Sequence, residues 1–137
     1  MREIEFRGKS TRANEWVYGQ LIIGYNFNFI ITSEDYDCVC ASLDTLVCQC
    51  HPIEKKSNTI GQYTGLKDKN GTKIFEGDIV LIDEDERQLA TICWDNECAN
   101  FYIQYDNLYC TFDDYYGKDL EVVGNIYDNP ELLEQDK

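Results

Sequence analysis

Leu66-Lys67-Asp68-Lys69-Asn70-Gly71-Thr72-Lys73-Ile74-Phe75-Glu76-Gly77-Asp78-Ile79-Val80-Leu81-Ile82 is the stretch that decides the fold. Asn70-Gly71 stands between an apolar approach and the Ile74-Phe75 exit, and it is the dipeptide best suited to a tight turn with positive φ. Glu76-Gly77-Asp78 then bends the chain into the short apolar run Ile79–Ile82. That run ends at four consecutive carboxylates, Asp83 to Glu86, whose mutual repulsion demands solvent. Turns at this spacing leave room for strands and not for helices.

The same period-two grammar holds on either side of this stretch. Ile4 and Phe6 alternate with Glu3, Glu5 and Arg7; Tyr25, Phe27, Phe29 and Ile31 share a face opposite Asn26 and Asn28. The polar residues Ser10 to Glu15 turn the chain into Trp16-Val17-Tyr18, the second strand of an N-terminal hairpin. Gln88–Trp94, Phe101–Tyr105, Tyr109–Phe112 and Leu120–Tyr127 follow as short strands separated by Asp, Asn and Gly, the spacing of a small barrel or sandwich. Asn129, then Pro130, then the acidic Glu131 supply an N-cap, a first helical position and a first turn for a short terminal helix. A soft boundary falls near Asn70, dividing a β-rich portion, residues 1–70, from a barrel portion with the helix, residues 71–137; the length suits both as portions of one compact domain.

Charge is distributed unevenly. The 137 residues carry 12 basic and 26 acidic side chains, a net −14. Residues 1–73 hold nine of each, whereas residues 74–137 hold three basic against seventeen acidic and account for the whole excess. A simple basic nucleic-acid binder is excluded. With 43% hydrophobic and 13% aromatic residues, the chain is too apolar for disorder despite that charge. Apolar runs such as Leu21–Ile23 fall far short of the roughly 20 residues that span a bilayer, and the N-terminus lacks the apolar core of a secretory signal. The expectation is a cytoplasmic protein. Its seven cysteines, an odd number, are then reduced thiols.

Cys38-Val39-Cys40 and Cys48-Gln49-Cys50 are the one constellation with metal-ligand chemistry. If the chain folds back about Asp44, Cys38 opposes Cys50 and Cys40 opposes Cys48, all four on one face, close enough for thiolates to surround Zn²⁺ with or without His51. Against this, a one-residue gap on a strand splays its side chains, where zinc sites use two to four intervening residues. The plainer reading makes these cysteines small hydrophobes on a buried face. His51, the only histidine, reads as a partly exposed loop imidazole ahead of Pro52. Asp68-Lys69-Asn70-Gly71 starts like a calcium loop, but its glycine comes at position four rather than six. Gly61, Gly65 and Gly71 lack the Gly-Lys-Ser/Thr of a phosphate loop. The second-half carboxylates, Asp83–Glu86, Asp113-Asp114, Asp119 and Glu121, admit a reading as carboxylate pairs for hydrolysis or as hard-cation ligands, but contiguous like charges favour solvated turns, or a rim that engages a basic partner surface or imitates a phosphate backbone.

Met1-Arg2-Glu3-Ile4-Glu5-Phe6-Arg7-Gly8-Lys9, Asn14-Glu15-Trp16-Val17-Tyr18-Gly19, Gly61 to Gly71, Glu76-Gly77-Asp78-Ile79-Val80 and Glu121 to Glu134 occur together and in order. In this set the chain resembles the YopX-like family of phage and prophage proteins. The match fails between about residues 25 and 58, where the cysteine pairs sit. The resemblance implies a mainly β protein with minor α, containing a small SH3-like barrel that opens at Gly77-Asp78-Ile79-Val80. It also implies a bacterial host, homo-oligomerisation, and no established activity or catalytic residues.

The functional expectation is therefore a non-enzymatic interaction module with no cofactor, binding a phage or host protein in the bacterial cytoplasm, with neither nucleic acid nor membrane as a direct partner. Two alternatives stand beside it: a zinc-binding protein using Cys38, Cys40, Cys48 and Cys50, and an acidic nucleic-acid mimic that occupies a host DNA-binding protein.

Overall fold

The computed structural model describes residues 3–11, 14–32, 51–54, 59–83, 87–105, 108–111 and 119–134. The protein is mainly β: among these residues, eleven antiparallel strands precede one short C-terminal helix. The chain divides into two compact units, Met1–Gln62 and Tyr63–Lys137.

The first unit contains β1 (Phe6–Lys9), β2 (Trp16–Ile23), β3 (Phe27–Ile31) and β4 (His51–Glu54) in the order β4-β3-β2-β1. The first two residues of β5 (Gly61–Lys67) add to β1 through Arg7↔Gly61 and Phe6↔Gln62. Ser10 N–H donates to Glu15 O at 2.9 Å, and Asn14 adopts φ 52°, a left-handed conformation that Asn tolerates better than most residues. Val17, Ile30 and Ile53 form the core of this unit, with Phe6, Leu21 and Ile60 packed on them.

Three sequence expectations change here. Ile4 precedes β1 and is exposed. Tyr25 lies in the β2–β3 turn, which Gly24 N–H closes onto Phe27 O at 3.0 Å; the alternation runs straight through this turn, so parity alone could not find where the strand ended. His51 opens β4 opposite Ile30 instead of occupying a loop. Pro52 is tolerated beside it because, among the described residues, β4 is an edge strand, where a missing N–H breaks no ladder on the outer side. The hairpin expected about Asp44 lies outside the described residues.

In the second unit the rest of β5 pairs with β6 (Lys73–Phe75) across the Asn70-Gly71 turn. The register slips between Tyr63 and Lys67, where Gly65 takes φ 93°. This is a bulge that only a residue without Cβ enters at no cost. β7 (Asp78–Asp83), β8 (Gln88–Asp95), β9 (Asn100–Tyr105), β10 (Leu108–Thr111) and β11 (Glu121–Asn125) form a sheet in the order β10-β9-β8-β7-β11. The opening strand β7 thus pairs with both its successor and the last strand, as the barrel expectation requires. The barrel is not closed, however: β10 and β11 remain edges. Closure would need those edges to share a ladder, but β10 is four residues long and registers wholly against β9. Ile74, Val80, Ala90, Ile92, Ile103 and Leu120 make the core.

Two carboxylates hold this unit together from inside. Asp68 is only 5% exposed, and its Oδ1 accepts the N–H groups of Asn70 and Thr72, each at 2.9 Å, while its Oδ2 accepts Val122 N–H at 2.9 Å. The turn beneath β5 and β6 is thereby stapled to β11. Burial by itself would raise the Asp68 pKa, but the three backbone donors and the neighbouring Lys69 charge outweigh it and leave it below the ordinary value. The buried Asp78 accepts Phe75 N–H at 2.7 Å across the turn in which Gly77 takes φ 93°. These contacts explain Asp68, Gly77 and Asp78 as structural residues.

At the C-terminus, β11 leads into a mutual lock. Asn129 N–H donates to Asn125 O at 2.9 Å, and Asn125 N–H donates back to Asn129 Oδ1 at 3.2 Å. Asn125 Oδ1 in turn accepts the N–H groups of Tyr127 and Asp128. The strand expected over Leu120–Tyr127 therefore stops at Asn125. The helix α1 (Glu131–Glu134) is one turn long, started by Leu132 N–H on Asn129 O.

Candidate functional site

Two surfaces have a character that packing alone does not require. The first is the β2–β3 hairpin. From Trp16 to Thr32 the chain has no Asp, Glu, Lys or Arg, although 28% of all residues are charged. β1 covers β2 only as far as the Phe6↔Gly19 pair, so Gln20 to Ile23 pair with β3 alone. At the tip, Ile23 is 73% exposed and Tyr25 is 85% exposed. The turn is closed by Gly24 N–H on Phe27 O, an approach so close that a Cβ on Gly24 would lie 2.5 Å from that oxygen. Beside the uncovered part of β2, a hollow of about 370 Å³ lies between Glu3–Glu5 and Tyr18–Gln20. Counting charges along the sequence finds this segment; parity alone reads it as two ordinary strands.

The second surface is the face of β8, β9 and β10 that turns away from Ile92 and Ile103. Cross-strand register places Cys93 beside Tyr102, Tyr102 beside Thr111, and Gln104 between Thr91 and Tyr109. The rings of Tyr102 and Tyr109 stack at 4.3 Å with 24° between their planes. Tyr109 O–H donates to Asp95 Oδ2 at 2.7 Å, and Asp95 Oδ1 accepts Glu97 N–H at 2.8 Å and Cys98 N–H at 3.2 Å. Asp95 therefore ends β8, shapes the turn and anchors a ring two strands away. Ala99 completes that turn with φ 54°.

Four ionisable groups on this face, Cys93, Asp95, Tyr102 and Tyr109, are shifted from their ordinary pKa values. The hydrogen bond from Tyr109 and the two backbone donors lower the Asp95 pKa. The same bond to Asp95 pushes Tyr109 up to about 12. Burial raises the Cys93 thiol, with Tyr102 opposing and Glu76 reinforcing. Burial and the neighbouring Cys93 likewise raise Tyr102. A thiol held protonated is a poor nucleophile, and a carboxylate held ionised with a phenol held neutral gives no acid–base pair poised near pH 7.

Cys38, Cys40, Cys48 and Cys50, together with Glu84–Glu86 and Asp113-Asp114, lie outside the described residues, and of His51 the structure describes the backbone. Cys93, Cys98 and Cys110 are free thiols. Among the described residues no cluster of His, Cys, Asp or Glu is arranged to hold a metal ion, and no helix is long and apolar enough to cross a membrane. Glu121 forms an ion pair with Lys69 at 3.7 Å. The Asp95–Tyr102–Tyr109 group was missed because its members come from three strands. The parity of Cys93 and Asp95 was legible, but the β8–β9 register that sets them beside Tyr102 depends on the turn geometry at Asp95.

Comparison with known proteins agrees with this architecture. No curated protein matches the sequence. The crystal structure of protein EF1440 from Enterococcus faecalis is similar, with a TM-score of 0.55 and 26% identity over 97% of this chain and 99% of that one. The model of the YopX protein family matches residues 5–134. With nearly its whole length matched, the chain belongs to the YopX family.

Proposed function

We propose that this protein is a non-enzymatic interaction module of phage or prophage origin, acting in the bacterial cytoplasm and docking through the β2–β3 hairpin. The observation that carries the reading is the exposure of Ile23 and Tyr25 at the tip of a segment without charge. Large apolar side chains held outward on a shaped turn are contact residues, since burying each against a partner is worth about 1.5–3 kcal/mol.

The partner is a phage or host protein with an apolar recess, or a second copy of the chain. The hairpin's lack of charge favours the second copy as well, because two molecules of net −14 repel wherever their carboxylates meet and do so least at this segment. The test is affinity purification from lysogenic bacteria with mass spectrometry, and light scattering on the same sample, for the parent and for Ile23→Asp with Tyr25→Ser. The expected result is that the double variant keeps its thermal midpoint within about 2 °C and loses the recovered partner or the oligomer. Retention of both would remove the hairpin from the account.

A further inference from the structure

We infer that the Asp95–Tyr102–Tyr109 face is a docking site for an arginine-bearing extended segment of a partner protein. This goes beyond the hairpin reading and uses a different unit of the chain. Stacked tyrosines on an open sheet ordinarily offer a platform for any flat group, nucleobases included. What selects among such groups is charge. Asp95 sits at the edge of the platform as a carboxylate fixed by three donors, 2.7–3.2 Å away, so it stays ionised and in place. Exposed Glu97 follows in the same turn.

Residues 63–137 carry six basic and eighteen acidic side chains, a strongly negative setting that repels the phosphates of a nucleic acid. Arg87 lies at the far end of β8 from Asp95. A guanidinium meets each requirement: it is flat enough to lie on a tyrosine ring, it carries the positive charge the ring face attracts, and it presents paired N–H donors to a carboxylate. The chain already uses this chemistry internally. Arg7 lies 4.8 Å from the Trp16 ring centre and Lys73 lies 5.2 Å from that of Tyr63. Tyr109 is half exposed, and its hydroxyl is tied to the Asp95 carboxylate, which fixes the ring beside that anion. Because strand side chains repeat every second residue, arginines at alternate positions of an extended segment would follow the platform along β9 and β10.

The probe is a nonapeptide of alternating arginine and serine, titrated into the full chain at about 50 mM salt and followed by amide chemical shifts. Saturable shifts are expected at residues 93–104 and 109–111, and a lysine–serine peptide should bind about threefold more weakly, because ammonium lacks the stacking plane. Asp95→Asn and Tyr102→Ala should each weaken the arginine peptide about threefold or more. Asp119→Asn removes the same unit of charge ahead of β11, on the opposite edge of the sheet, and should change affinity less than about 1.5-fold. Equal losses for Asp95→Asn and Asp119→Asn, tighter binding of an oligothymidylate of equal length, or no saturable shift would each overturn the assignment. Light scattering on Ile23→Asp with Tyr25→Ser moves independently, so failure here is separable from failure at the hairpin.

Discussion

Asp68 is the residue on which the second unit depends most. Its carboxylate satisfies two amides of its own turn and one of β11, so its removal strands donors in three places. Asp68→Asn keeps the shape, but it loses the charge and can face only one way. The expected cost is about 2 kcal/mol or more, measured by chemical denaturation. The pH dependence follows from the direction of the shift. With a folded pKa below the ordinary value of 3.8, the stabilisation is fully present above that value and is lost as pH falls through the folded pKa. Thermal midpoints measured between about pH 6 and pH 2 should fall less steeply in Asp68→Asn than in the parent. An unchanged slope would mean that other carboxylates control acid unfolding. The sequence displayed Asp68 plainly as the start of a turn. Its bond to Val122 was illegible, because no local pattern links residues 54 positions apart.

Among the elements, the junction of β11 with α1 is tightly specified. A Cβ on Gly124 would lie 2.6 Å from Asn129 Oδ1, so Gly124→Ala must push aside the side chain that accepts Asn125 N–H. The variant should lose about 1–3 kcal/mol. Combining it with Asn129→Gly should cost less than the two single losses added together, because the clash and the bond share a side chain. Additive losses in a double-mutant cycle would show that the strain is relieved elsewhere. Elements whose signals are local were readable: the Asn70-Gly71 turn, β7 and the one-turn helix all stand where dipeptides, parity and an N-cap place them. β4 and β5 were not, since Pro52 argues against a strand and Gly61 and Gly65 dilute the alternation. Both strands form because a neighbour pairs with them. The Tyr102–Tyr109 face was hidden for a related reason, as its geometry comes from register and its members are far apart in sequence.

For the molecule as a whole, net charge is unevenly divided along the chain. Residues 1–62 carry six basic and eight acidic side chains, so nearly all of the net −14 falls to residues 63–137. Self-repulsion within that unit should be relieved by counterions: raising salt from about 20 to about 200 mM shortens the screening length from roughly 20 Å to below 10 Å. The calorimetric midpoint should rise by a few degrees over that range, and a fall would mean that the carboxylates are mainly satisfied by local partners. The charge excess was legible from composition, and its division near Asn70 from a running count. The open sheet was not, because strand spacing suits a closed barrel and an open one equally well.

The bond between Asp68 and Val122 also has a consequence in time. The amides of Asn70, Thr72 and Val122 share one acceptor, so the departure of β11 leaves the turn holding a buried charge without its third donor. The two regions should open as one cooperative step and not by separate fraying. In native-state hydrogen exchange these three amides, distant in sequence, should show a common opening free energy and a common denaturant dependence. That would make the final strand the latch that decides when the unit comes apart.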